Sequence, residues 1–186
     1  MPLGSLWLPG VVSAVAVFLL SSLLHMLLKY HRADFKRLAD EDAVAEAIRK
    51  AGPSPGVYFI PYCSEASQMK DPAMVKKFTD GPVVGLTVRP NGPPSIGRNL
   101  AQWFLLSLLV SFVAAYVARH TLSPGSPGLE VMRITGTVAF VAYGFGYFQD
   151  SIWKGIPWSN SLRGLLDAAL YALATGLVFR WLWPGV

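Results

Sequence analysis

The stretch Leu23–Lys50, LLHMLLKYHRADFKRLADEDAVAEAIRK, changes character at Lys29. Up to Leu28 it is the tail of a continuous apolar run, and beyond Lys29 acids and bases alternate at helical spacing. An abrupt switch from hydrocarbon-compatible to charged sequence marks the point where a helix leaves a bilayer. The organisation of the chain follows by extending that reading in both directions.

Composition agrees with a bilayer. Of the 186 residues, 53% are hydrophobic and only 15% charged, and the mean hydropathy is +0.41, too apolar for an ordinary soluble domain. The length allows a few transmembrane helices and one small polar module, not two large domains. The net charge of +5 does not indicate nucleic acid, because between Lys29 and Lys77 the bases are interleaved with acids and form no basic run. A single cysteine, Cys63, rules out an internal disulfide. Neither CxxC nor Cys/His ligand spacing is present, so no metal and no cofactor is expected.

Four segments approach the roughly 20 residues that a helix needs to cross a bilayer core: 6–28, 100–118, 134–153 and 162–183. The second holds no charged residue; the third and fourth each contain one aspartate, Asp150 and Asp167. Trp7, Trp103, Trp153, Trp158, Trp181 and Trp183 all fall near segment ends, where indoles favour the headgroup region. The expected fold is mainly α-helical and integral to a membrane: a four-transmembrane-helix bundle with a small αβαβ cytoplasmic module at 30–98, between the first and second helices. The N-terminal flank MPLGSLWLPG lacks positive charge and no small-x-small site follows the apolar run, so the first segment reads as a retained anchor rather than a signal peptide.

Charge sets the orientation. With four spans, thirteen Lys and Arg fall on the side that receives Lys29, Arg32, Lys36 and Arg37, against Arg119, Arg133 and Arg180 on the other. Counting only bases close to span ends still leaves eight against three. The positive-inside tendency therefore places residues 30–98 in the cytoplasm and both termini outside.

The module carries its own folding signals. Asp40 is placed to cap a helix over LADEDAVAEAIRKAG, with Glu41 and Asp42 at its positive end, Arg49 and Lys50 at its negative end, and Gly52 to close it. PGVYFIPY reads as a strand, demoted to an edge by Pro61. In DPAMVKKFTDG, Asp71 caps a second helix, Pro72 takes its first position and Gly81 follows its end. PVVGLTVRP is a second strand, and PNGPPSIGRN reads as a loop back to the bilayer. Two strands bury little, so the module is expected to lean on the membrane or the helices.

Within the bilayer, small residues must let helices approach. The expected stripes are Ser107, Ser111, Ala115 and Ala118; Gly136, Ala139, Ala142 and Gly146; and Ala168, Ala172 and Gly176. Charged and polar groups in the spans carry the sharper signal, because a charge in hydrocarbon is paired or functional. His25, Gln102, Asp150 and Asp167 all belong to the cytoplasmic leaflet. Lys154 and Arg163 stand four residues from Asp150 and Asp167, the spacing of two helical salt bridges that staple a hairpin. The functional reading is a proton or ligand site formed by His25, Asp150 and Asp167.

Cys63 follows a strand, where a thiol nucleophile can act, but the only base in the same polar segment is His31. No Walker loop, HExxH, GxSxG or paired-carboxylate motif occurs.

The runs YHRADFKRLADEDAV, PGVYFIPYC, MKDPAMVKKF, GPVVGLTVRPNGPP and VFRWLWP, which span most of the chain, resemble a family of small bacterial inner-membrane proteins of uncharacterised function. The resemblance implies a bacterial inner-membrane location and adds no catalytic residue. The expected function is that of a non-enzymatic multi-pass scaffold or accessory subunit, working through its cytoplasmic module on a partner; the expected contacts of the chain are the lipid bilayer and a membrane-protein partner or a homo-oligomer. The alternative is a small oligomeric proton-coupled transporter using the Asp/His layer in the cytoplasmic leaflet. A thiol-dependent enzyme using Cys63 comes last.

Overall fold

A computed structural model describes residues 3–185. In chain order the long elements are α1 (Trp7–Met26), α2 (Glu41–Ala51), β1 (Gly56–Ile60), α3 (Pro72–Asp80), β2 (Val84–Val88), α4 (Ile96–Thr121), α5 (Gly128–Lys154) and α6 (Trp158–Trp181). They fall into two compact units, residues 3–35 with 95–185, and Lys36–Pro94.

The first unit is helical. Among the described residues, three helices are long and apolar enough to cross a membrane: Gly4–Met26, Ile96–Thr121 and Trp158–Trp181, with mean hydropathies of 2.0, 2.0 and 1.5. At 27 residues α5 is about 40 Å long, but its Thr, Gly and Tyr content and its Gln149–Asp150 end make it less apolar. It packs along α6 in the most extensive helix contact of the chain and also meets α4, while α1 lies against both α4 and α6.

Each long helix begins earlier than the apolar pattern predicts or close to it, because hydropathy overlooks polar first turns. The helices α5 and α6 start directly after Pro127 and Pro157, whose fixed φ suits the residue ahead of a helix. Gly97, Arg98 and Asn99, expected in a loop, are already helical in α4. Nothing after Pro94 breaks the helix there.

Small residues line the contacts. Ser107, Ser111, Ala115 and Ala118 of α4 and Ala168, Ala172 and Gly176 of α6 are buried. On α5 the expected stripe is shifted: Ala139 is buried, but Ala142 and Gly146 are exposed. Val131, Thr135 and Ala139 are buried at four-residue steps on one side of the helix, and Gly144 is buried about 140° around from Ala139, as suits a helix packed against both α4 and α6.

In the second unit, Asp40 accepts a hydrogen bond from the Ala43 amide at 3.0 Å, and Gly52 closes α2 with φ of 64°, a left-handed value suited to glycine. Asp71 caps α3 through the Ala73 amide at 3.2 Å. The strands β1 and β2 are antiparallel, with Gly56 opposite Val88 and Ile60 opposite Val84. No residue between Lys36 and Pro94 is fully buried.

Candidate functional site

Asn160, Arg163 and Asp167 recur on one face of the first three turns of α6. Against that face sits a 3-10 turn, Tyr30–Asp34, that follows directly on the end of α1. The side chains of α6 hold it there. Asn160 Nδ2 donates to the Asp34 carbonyl at 3.0 Å. Arg163 Nε donates to Asp34 Oδ1 at 2.6 Å, and its guanidinium also reaches Asn160 Oδ1 at 3.0 Å.

One turn deeper along α6, Asp167 is 1% exposed. The Tyr30 hydroxyl donates to its Oδ1. His31 bridges the two acids, with Nδ1 at 2.6 Å from Asp34 Oδ2 and Nε2 at 2.8 Å from Asp167 Oδ2. His25, in the last turn of α1, places Nδ1 at 3.0 Å from the Ser21 carbonyl, which can only accept. The proton of a neutral His25 is thus on Nδ1, and its Nε2 lone pair lies 3.7 Å from Asp167 Oδ2. The two imidazoles are stacked, with centroids 4.4 Å apart and planes within 8°.

The electrostatics follow from this geometry. Burial works to raise the Asp34 carboxyl, but the hydrogen bonds from His31 and Arg163 outweigh it and hold the group below its ordinary range. Burial and the hydrogen bond to Asp167 push the Tyr30 phenol up, so it remains a donor. Both nitrogens of His31 face carboxylate oxygens, so the ring couples Asp34 to Asp167 through two hydrogen bonds. Asp34 has Arg163. Among the described residues Asp167 is ion-paired with no Lys or Arg, only with His25 and His31.

A pocket of about 270 Å³ adjoins the cluster, lined by Ser21, Ser22, His25, Trp103, Tyr147 and Tyr171 among others. Trp103 Nε1 donates to Ser21 Oγ at 2.7 Å on its wall. Beyond Asp167, Tyr171 and Thr175 follow at four-residue steps on α6, and both hydroxyls are buried without a hydrogen-bond partner. Ser13 Oγ of α1 and Ser111 Oγ of α4 are in the same condition.

Of the residues singled out from the sequence, His25, Arg163 and Asp167 are brought together, but not as a staple. Arg163 pairs with Asp34 and leaves Asp167 to Tyr30 and His31, because the turn after α1 supplies each with a partner across the helices. Asp150 does pair with Lys154, at 2.6 Å on the exposed side of α5, and is not bonded to the cluster. Gln102 is exposed on α4 and does not join it. Cys63 is free and half-buried in the second unit, while both His31 nitrogens are engaged elsewhere. Tyr30, Asp34 and Asn160 carry no signal in the sequence pattern, and His31 reads from the sequence only as a base for Cys63. The available signal was the six-residue interval from His25 to His31 across the end of an apolar run.

Comparison with family models, with curated proteins and with solved structures finds no match. Function therefore rests on the site itself.

Proposed function

We propose that this chain is a four-span protein of a bacterial inner membrane that works as a small proton-coupled transporter, with its cation-handling centre on Asp167 in the cytoplasmic leaflet. The observation that carries the reading is a buried acid inside an apolar helical unit whose titratable partners are histidines rather than a fixed base. A carboxylate there is too costly to leave unpaired, and a titratable partner makes the bound charge exchangeable. The buried hydroxyls of Tyr171 and Thr175, one and two turns further along α6, supply polar steps toward the opposite leaflet. The fourth span is α5, long enough to cross and covered on one side by α4 and α6. Charge asymmetry supports a cytoplasmic Lys36–Pro94 unit and outer termini.

The test is proton flux into proteoliposomes holding a pH-sensitive dye. Asp167→Asn is expected to abolish flux that Asp150→Asn retains. Equal flux from the wild type and Asp167→Asn overturns the reading.

A scaffold or accessory role is the second reading, favoured by the absence of a closed core in the Lys36–Pro94 unit. That unit presents an apolar groove of about 570 Å³ between α2 and the sheet, lined by Val44, Ile48, Phe59 and Leu86 among others. Affinity isolation from native membranes in mild detergent tests it; a stoichiometric partner lost on Ile48→Asp supports this reading, and a clean homo-oligomer overturns it.

A further inference from the structure

We infer that His25, His31 and Asp167 form a binding site for a divalent transition-metal ion of the zinc class, with three protein ligands and one open position. The inference rests on reading Asp167 as a cation centre and names the cation. One ligand atom from each of His25, His31 and Asp167 lies within 4.8 Å of the other two, and the Nε2 atoms are the ones that face Asp167. Four ligands at zinc bond lengths of about 2.0 Å stand about 3.3 Å apart in a tetrahedron. The observed 2.8 Å from His31 to Asp167 and 3.7 Å from His25 to Asp167 straddle that separation, while the two rings stack within 8° of parallel, so the half-exposed His25 ring must turn out of the stack for both Nε2 lone pairs to meet one ion.

In the metal-free arrangement each ligand is held by a second group. The Nδ1–H of His31 points at Asp34, which is fixed by Arg163. The Nδ1–H of His25 is held by the Ser21 carbonyl, and the second oxygen of Asp167 by the Tyr30 hydroxyl. Imidazole backed by a carboxylate or carbonyl is how metal-ligating histidines are held with the other nitrogen free. On binding, the ion takes the Nε2 lone pair of His31, and the proton that Nε2 donates to Asp167 leaves to solvent.

The donor set selects the metal. Two imidazole nitrogens and one carboxylate oxygen suit zinc, cobalt or nickel, whereas magnesium and calcium require oxygen ligands throughout. His25 is shared with the adjoining pocket, and its side chain is 51% exposed, so the fourth position is open to water or an exchanging ligand. A closed four-residue cage would hold zinc structurally; three ligands and an opening suit an ion that enters and leaves.

The test uses the full chain, purified in detergent and stripped of metal. Titration with zinc chloride is expected to show one saturable site, and cobalt(II) to develop the intense visible bands of four-coordinate geometry. His31→Gln and Asp167→Asn abolish both signals. Asp34→Asn, which touches no metal, weakens zinc binding by about 10- to 100-fold. His25→Gln alters an exposed ring, so it keeps the assay decisive where an Asp167 variant fails to fold. His120→Gln leaves binding unchanged. Absence of a stoichiometric site, or full binding by a His25→Gln, His31→Gln double variant, overturns the inference. A chain that takes no zinc yet loses proton flux with Asp167→Asn overturns the metal site alone. Zinc binding in a chain whose flux ignores Asp167 supports the site and overturns the transport reading.

Discussion

Arg163 Nε lies 2.6 Å from Asp34 Oδ1, although Asp167 is available to it one turn along its own helix. Arg163 thereby ties α6 to the turn beyond α1, across 129 residues of sequence, rather than stapling α6 to itself. Residues in direct contact show coupling energies of about 0.5–3 kcal/mol, and independent ones add. A double-mutant cycle between Arg163→Ala and Asp34→Ala, read by unfolding in detergent, is expected to show coupling in the upper half of that range because the pair is largely buried. The cycle between Arg163→Ala and Asp167→Ala shows less. Larger coupling for the second pair restores the staple.

Glycines at the α5–α6 contact provide a second prediction. A Cβ on Gly176 would meet Met132 Cγ at 2.8 Å and the Met132 carbonyl at 3.0 Å, and the backbone atom cannot swing aside. A Cβ on Gly164 would run into the Tyr147 ring. Gly176→Ala and Gly164→Ala should each destabilise by about 1–3 kcal/mol, seen as a lower Tm in detergent. Gly146 has nothing within 4 Å of its would-be Cβ, so Gly146→Ala is expected to be neutral.

How far these features are legible in the sequence depends on their range. Caps at Asp40, Gly52 and Asp71 and the Asp150–Lys154 pair are local, fixed by residues four or fewer apart, and all were readable. The facing side of α5 was not: Gly136, Ala139, Ala142 and Gly146 form an apt small-residue stripe by spacing, but only packing against α4 and α6 decides which small residues are buried. The cluster on Asp167 was half readable. The nearness of His25 and Asp167 to helix ends is read by counting along the helices, whereas the other partners of Asp167 come from a five-residue turn whose path no periodicity encodes.

Orientation is tested by reporters. The thirteen-to-three asymmetry of Lys and Arg predicts that a reporter fused after Pro53 behaves as cytoplasmic, and that fusions after Gly125 and at the C-terminus behave as external. An external signal at Pro53 reverses the topology. A cytoplasmic C-terminus together with an external Gly125 signal leaves three spans and removes α5 from the set.

Cys63→Ser is expected to leave protein level, Tm and proton flux unchanged, because the thiol is half-buried and both nitrogens of His31 are held by Asp34 and Asp167. Loss of flux at normal protein level would bring the thiol into the mechanism.

The exchange Arg163→Asp with Asp167→Arg separates a site from a staple most directly. In a staple, reversing both charges keeps the attraction at about 0.3–0.5 kcal/mol for an exposed helical pair, and the double variant recovers what each single loses. Here the two positions face different groups. An arginine at 167 would sit against His25 and His31 with the Tyr30 hydroxyl beside it, and an aspartate at 163 would face Asp34, which is 16% exposed. The Arg163–Asp34 attraction would become a repulsion between two carboxylates, and the buried acceptor of the Tyr30 and His31 hydrogen bonds would be replaced by a cation, in a low-dielectric setting. The double variant is therefore expected to be less stable in detergent than either single, and inactive in the flux assay. Recovery of wild-type Tm by the exchange would contradict the partners assigned to both residues.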